Sequence, residues 1–245
     1  MAIEFNAQEQ KIDFGTSANV YGLTQKSMSF WVYLDSITSD GNLYYAASLY
    51  TDTTPNSDEG WGILFNYDGD GDMLFSEAFD TQDGIWTIPT STFSTSSWYH
   101  IIITMDNSSD ANNPSAYVNN VSKSFTEDLA PSGSAKAGTG GSLRVGDPFS
   151  AATQYRVIDG KLQDIRIYNR ILSASEIAEL YNSRCQRVVM DGLVFWAPMD
   201  GAAGLSSFDG ATLSSANTII DRISGVQGVP SGSPIGRGNT IQRIY

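Results

Sequence analysis

From Met28 to Leu34 the chain reads Met-Ser-Phe-Trp-Val-Tyr-Leu. Met28, Phe30, Val32 and Leu34 fall on one face, and Ser29, Trp31 and Tyr33 on the other. A two-residue period of this kind belongs to a β-strand covered on at least one side. Similar segments recur along the chain. Trp61–Phe65 and Met73–Phe79 read as strands joined by Asn66-Tyr-Asp-Gly-Asp-Gly-Asp72, a strong hairpin-turn signal. Trp98–Met105 is a β-branched, mostly apolar run, as expected of a buried strand. Ala116–Val118 and Val121–Phe125 flank Asn119-Asn120, and asparagine tolerates the positive φ of a tight turn. Ser142–Gly146 and Lys161–Asn169 supply further strands, and the Gly/Ser/Ala/Pro-rich stretch from Leu129 to Gly141 predicts a surface loop.

Only one segment reads as helix. Ser173-Ala-Ser-Glu176 is a capping box, with Leu172 and Ile177 placed to form a hydrophobic staple. Ile177, Leu180 and Tyr181 then make an apolar stripe that ends near Arg184. Many short strands with one short helix over 173–184 predict an all-β, two-sheet antiparallel sandwich.

Charge removes some functions. Lysine and arginine number 14, aspartate and glutamate 27, so the net charge is 14 − 27 = −13. Such a surface repels a phosphate backbone, which argues against a nucleic-acid partner. An acidic rim suits a hard cation or simple solubility. Cys185 is the single cysteine, so no disulfide forms within the chain. No basic segment followed by an apolar run opens the sequence, and no stretch is long enough to insert in a bilayer. Synthesis in the cytoplasm without a signal peptide is therefore expected.

The order of motifs resembles the laminin-G-like, concanavalin-A-like jelly-roll family. Ile3-Glu-Phe-Asn with Lys11-Ile-Asp-Phe14 is similar to its opening pair of strands. Ser29-Phe-Trp-Val-Tyr-Leu-Asp35 resembles h-S-x-W-V-x-x-D, where h is apolar, and Trp98–Asp106 resembles W-x-H-V-A-x-T-x-D. Ala116-Tyr-Val-Asn-Asn-Val121 resembles L-Y-V-D-G, and Leu143-Arg-Val-Gly146 resembles L-x-I-G. Gly160–Ile177 resembles the long closing motif G-x-I-D-E-V-R-I-Y-N-R-A-L-S-x-x-E-I. The likeness runs over residues 1–182, giving a sandwich over 1–184 and a further segment over 185–245. Within that segment, Gly192–Asp200 and Asp221–Pro230 resemble the family's opening residues. This order suggests a circular permutation, in which residues 190–235 complete the sandwich in cis; donation to a neighbouring copy and a truncated second repeat are the alternatives. Residues 236–245 read as a docking tail, with Arg237, Arg243 and Tyr245 as assembly contacts.

The chemistry expected of an enzyme is missing. The family's glycosidases carry E-x-D-x-E on one strand, and no such triplet occurs here. The only histidine, His100, reads as a packed strand residue, and no nucleophile has another base. Nothing requires a cofactor. Calcium is the one that the Asp/Gly loop suits: Asn66, Asp68, Asp70 and Glu77 fall at positions one, three, five and twelve of an EF-type loop, with Asp72 beside them. A solvated turn is the plainer reading. For glycan stacking, Tyr44, Tyr45, Trp61 and Trp86 are the candidate aromatics. The main functional expectation is a non-enzymatic structural protein of an assembled particle, such as a capsid decoration, head fibre or tail protein on a virion surface. Its partners would be other copies of itself and other particle proteins. The alternative is a lectin-like module that binds cell-surface glycans.

Overall fold

The computed structural model describes residues 1–16, 20–37, 42–50, 60–67, 72–148, 155–205 and 207–238, with backbone alone at 66, 67, 155 and 156. In chain order its strands are β1 (Ala2–Phe5), β2 (Lys11–Asp13), β3 (Gln25–Leu34), β4 (Leu43–Tyr50), β5 (Gly60–Tyr67), β6 (Asp72–Glu77), β7 (Gly84–Ile88), β8 (Ser97–Asp106) and β9 (Ser115–Val118). Then follow β10 (Val121–Lys123), β11 (Thr126–Leu129), β12 (Ser142–Gly146), β13 (Tyr155–Val157), β14 (Gly160–Tyr168), helix α1 (Ala174–Asn182), β15 (Leu193–Ala197), β16 (Ile219–Ile220), β17 (Gln227–Ser231) and β18 (Ile235–Arg237).

Two sheets face each other. The first runs β10-β9-β8-β3-β14-β1-β18, with β15 also on β14; the second runs β11-β7-β6-β5-β4-β12-β2-β17-β16. All pairings are antiparallel except β13, which lies parallel to the start of β4. Residues 193–237 contribute to both sheets within the same chain: β15 pairs β14, β17 pairs β2 and β18 pairs β1.

The alternation in β3 sets the layers. Met28, Phe30, Val32 and Leu34 enter the core between the sheets, where Ile101, Ile103 and Met105 of β8 meet Trp61, Ile63, Phe65, Met73 and Phe75 from the opposite sheet. The outward residues of the first sheet are covered too. Ile102, Tyr168 and Trp196 pack against Leu172 and against Ile177 and Leu180 of α1. The helix begins as its capping box requires: Ser173 accepts from the Glu176 N–H, and Glu176 accepts from the Ser173 N–H at 2.9 Å. Asn119 and Asn120 both adopt positive φ between β9 and β10, the conformation of a two-residue hairpin turn. Among the described residues no helix is long and apolar enough to cross a membrane.

Candidate functional site

At one end of the sandwich the apolar core gives way to charge. Lys26 continues the inward register of β3, two residues before Met28. Glu77 ends β6 directly opposite Trp61, a core residue, and so faces inward from the other sheet. The Lys26 ammonium donates to Glu77 Oε1 across the gap, with the two side chains only 4% and 1% exposed. Asn107, just beyond β8, donates its Nδ2 to the same oxygen at 3.0 Å. The second carboxylate oxygen, Oε2, is buried without a hydrogen-bond partner. Burial pushes the Glu77 carboxyl above its ordinary range, against the opposing pull of Lys26 and Asn107.

This cluster forms the base of an open cleft of about 480 Å³. Its walls are three loops, residues 20–24, 107–110 and 133–137, and Leu49, Gly60 and Trp61 line it below. Backbone and side-chain bonds fix the loops to one another. The Gly22 N–H donates to the Ala137 carbonyl at 2.8 Å, the Asn107 N–H to Thr24 at 2.8 Å, and the Gly133 N–H to Asp110 Oδ2 at 3.0 Å. Gly60 permits the close approach of β5 to β4, since a Cβ there would sit 1.8 Å from the Leu49 carbonyl oxygen at a φ of +129°. Among the described residues the lining carries two cations, Lys26 and Lys136, and two anions, Glu77 and Asp110, which balance. Ser108, Ser109 and Ser134 add exposed hydroxyls. Such a surface is suited to hydrogen-bonding a polar, uncharged molecule.

His100 takes no part in it. It lies on the outward face of the first sheet, 2.9 Å from Ser29 Oγ and stacked on Trp31. Burial, with Arg184 and Arg166 nearby, holds its pKa down to about 3. Cys185 is equally remote, and burial pushes its thiol up to about 12.

The residues singled out in the sequence are scattered. Trp86 is fully buried, stacked on Phe75 with its Nε1–H bonded to Asn113 at 2.8 Å, so no sugar ring reaches it. Tyr45 is buried on the outer face of the second sheet beside Tyr50, Leu64 and Leu74, and Tyr44 packs half-buried at the core's edge. Trp61 lines the cleft but is only 3% exposed, offering little stacking surface. Of the metal candidates, Asp68 and Asp70 lie outside the described residues, as does the side chain of Asn66. Asp72 and Glu77 stand at opposite ends of β6, about 16 Å apart at strand rise. Asp72 accepts from the Thr90 N–H, while Glu77 is held by Lys26 and Asn107. The twelve-residue loop spacing thus fails for Glu77, because a strand rather than a loop carries it away from the turn. Among the described residues no group of three or more metal-binding side chains forms. Arg237 donates to Glu4 on the adjacent strand, with its NH2 at 2.7 Å, so its charge is matched within the chain; Arg243 and Tyr245 lie outside the described residues.

The sequence model of the concanavalin A-like lectin/glucanases superfamily matches residues 6–178. The chain belongs to that superfamily. No curated protein sequence matches it. Solved structures of similar fold include a candidate carbohydrate-binding protein from Bacteroides ovatus, at a TM-score of 0.63 and 14% identity over 98% of this chain. The chain spans 61% of that protein's length. A heptameric pentraxin from Limulus polyphemus aligns with 74% of this chain and 81% of its own, at a TM-score of 0.52 and 15% identity. The CBM40 module of a Ruminococcus gnavus sialidase, solved with α2,3-sialyllactose, aligns with 74% of this chain and 96% of its own, at 0.51 and 12%. At these identities the likeness is one of fold. Within the superfamily sandwich, Lys26, Asn107 and the 133–137 loop are the site residues that reading the sequence missed. Lys26 alone carried a signal, as a lysine on an otherwise apolar strand face.

Proposed function

We propose that this superfamily member is a carbohydrate-binding module that holds an uncharged, hydroxyl-rich glycan in the cleft between loops 20–24, 107–110 and 133–137. The observation that carries the reading is the cleft itself: a concave site of about 480 Å³ whose lining is mostly polar and whose charges cancel. The Bacteroides ovatus candidate carbohydrate-binding protein and the CBM40 module bound to sialyllactose share the fold, which supports a sugar, though not its charge class, as the ligand. The chain's net charge of −13 disfavours anionic sugars. Binding is proposed to proceed without catalysis. Among the described residues of the cleft, Glu77 is tied to Lys26 and Asp110 to the Gly133 amide, which leaves no free pair of carboxylates there to act as acid and base.

The particle-component reading draws no support from the fold or the comparisons. Strands 193–237 pair within the chain rather than offering themselves to a neighbour. The test is a glycan array followed by calorimetric titration of the best neutral ligand and its sialylated form. Saturable binding of the neutral sugar, weaker binding of the sialylated one and no change on adding a chelator are expected. No binding across a broad array of neutral glycans would remove the reading.

A further inference from the structure

Lys26, Glu77 and Asn107 come from three separated segments and from both sheets, yet they converge on a single oxygen atom, Glu77 Oε1. A charged pair with so little exposure to water is costly to keep. Passing the shared proton from the ammonium to the carboxylate removes both charges at once. It leaves an amine, a carboxylic acid and a primary amide in contact.

We propose that Lys26 and Asn107 join spontaneously through an isopeptide bond, with Glu77 carrying the protons. The Lys26 Nζ, as a free amine, attacks Cγ of Asn107. A new C–N bond forms and the Cγ–Nδ2 bond breaks. Glu77 Oε1 takes a proton from the attacking nitrogen, and Nδ2 receives one as it leaves. An amine and a primary amide become a secondary amide and ammonia, with no oxidant, cofactor or water consumed.

Three features of the site favour this step. Both nitrogens bond the same oxygen, so they lie no farther apart than those two bonds laid end to end. Reacting groups brought from there to an attack distance of about 3–3.5 Å behave as if present at about 10⁵ M or more. The side chains of Lys26 and Glu77 are nearly inaccessible, and Val20, Leu49 and Trp61 stand beside them, which limits competing water. Finally, the unpartnered Oε2 leaves one oxygen of the carboxyl open to hold a proton. A half-turn of the Asn107 amide exchanges its oxygen and nitrogen and brings the carbonyl oxygen to the position 3.0 Å from Oε1, where a proton on the Glu77 carboxyl polarises the carbon under attack. Burial, which raises the Glu77 carboxyl, favours the protonated form that this requires. The bond would close a loop over residues 26–107 and so restrain β4 to β7, as any cross-link spanning a long loop does.

The inference is independent of sugar binding, and the intact mass of the purified full chain tests it. The expected mass is that of the sequence less one ammonia, with a digest yielding one branched peptide that contains Lys26 and Asn107. Glu77→Gln keeps the shape but cannot shuttle protons, and its chain should show the full mass. A wild-type chain of full mass overturns the proposal. So does ammonia lost elsewhere, with the Lys26 and Asn107 peptides recovered unlinked. A Glu77→Gln chain that still cross-links overturns the role given to Glu77.

Discussion

The indole N–H of Trp196 donates to Oδ1 of Asp164 at 2.7 Å and fastens β15 onto β14 from the outer face of the first sheet. Asp164 occupies a bulge with φ of +53°, which lets Leu162 and Ile165 both enter the core although they stand three apart. Its carboxylate also takes Arg166, through Nε at 3.0 Å and NH2 at 3.2 Å, and the Cys185 N–H at 2.7 Å. Arg166 in turn reaches the carbonyls of Gln186 and Val188. One buried acid therefore binds the strand, the segment after the helix and β15 together.

Replacing it should be severe. Asp164→Ala leaves the fully buried Arg166 without its counter-ion, a loss of about 3–5 kcal/mol. The left-handed backbone adds about 1–2 kcal/mol of strain for alanine. Urea denaturation should show a stability loss of at least ~3 kcal/mol. A loss under ~1 kcal/mol would mean that the network contributes little.

Acid should weaken the fold partly through Glu176. Its hydrogen bond to Arg170, with help from Ser173, brings the carboxyl from an ordinary 4.5 to about 2. The folded value lies below the unfolded one, so this contribution is complete above about pH 4.5 and disappears as pH falls toward about 2. Glu176→Gln should flatten that part of the stability profile. It should also cost about 1 kcal/mol at neutral pH through the lost ion pair and weakened cap. Parallel acid titrations of both chains, followed by circular dichroism, give the comparison.

His100 gives a cleaner probe because the chain has one histidine. Burial lowers its pKa from 6.5 to about 3. The unfolded chain takes up the proton first, so stability is whole above pH 6.5 and declines as pH falls from there toward about 3. In the folded protein its imidazole NMR signals should stay fixed between pH 8 and pH 4.5. Titration near the ordinary value would show that the ring is not sealed between Trp31 and Ser29.

Cys185 should resist modification. Burial raises the thiol to about 12, so almost none is thiolate at neutral pH. Gln163 Nε2 also contacts the sulfur at 3.0 Å. Alkylation at pH 8 should be slow for the native chain and fast once urea unfolds it. Equal rates would place the sulfur in open solvent.

Much of this architecture is written in local patterns. The β3 alternation identifies the core face, Ser173-Ala-Ser-Glu176 marks where the helix starts, and Asn119-Asn120 marks a hairpin. Strand β4 is harder to see. Tyr44-Tyr-Ala-Ala-Ser-Leu-Tyr50 is covered on both faces and so has no two-residue period. The aromatic candidates misled for a related reason: Trp86 and Tyr45 have the composition of a sugar platform, but position in the sheets decided their burial. The cleft depends on contacts between residues 26, 77 and 107, and no local window contains all three. What could be read was Lys26 itself, the one charge in the inward series Lys26, Met28, Phe30, Val32, Leu34. A lysine there calls for a buried partner from the opposite sheet.

A cleft that binds sugar should be blocked by bulk placed on its rim. Ser134 is suited to this because its side chain is exposed and no hydrogen bond to it is needed by the neighbouring strands. Its backbone carbonyl, which accepts from the Asp80 N–H at 2.9 Å, is unaffected by a change of side chain. Ser134→Trp should therefore alter stability by no more than about 0.5 kcal/mol, as surface substitutions usually do, while the indole fills the space between loops 107–110 and 133–137. Glycan affinity should fall by at least tenfold in calorimetric titration, with the unfolding midpoint unchanged. If the variant keeps full affinity, the sugar binds elsewhere and the cleft is not the binding site. If affinity and stability fall together, the loop contacts rather than the open space account for the effect, and Ser134→Ala separates the two, since it removes the hydroxyl without adding bulk.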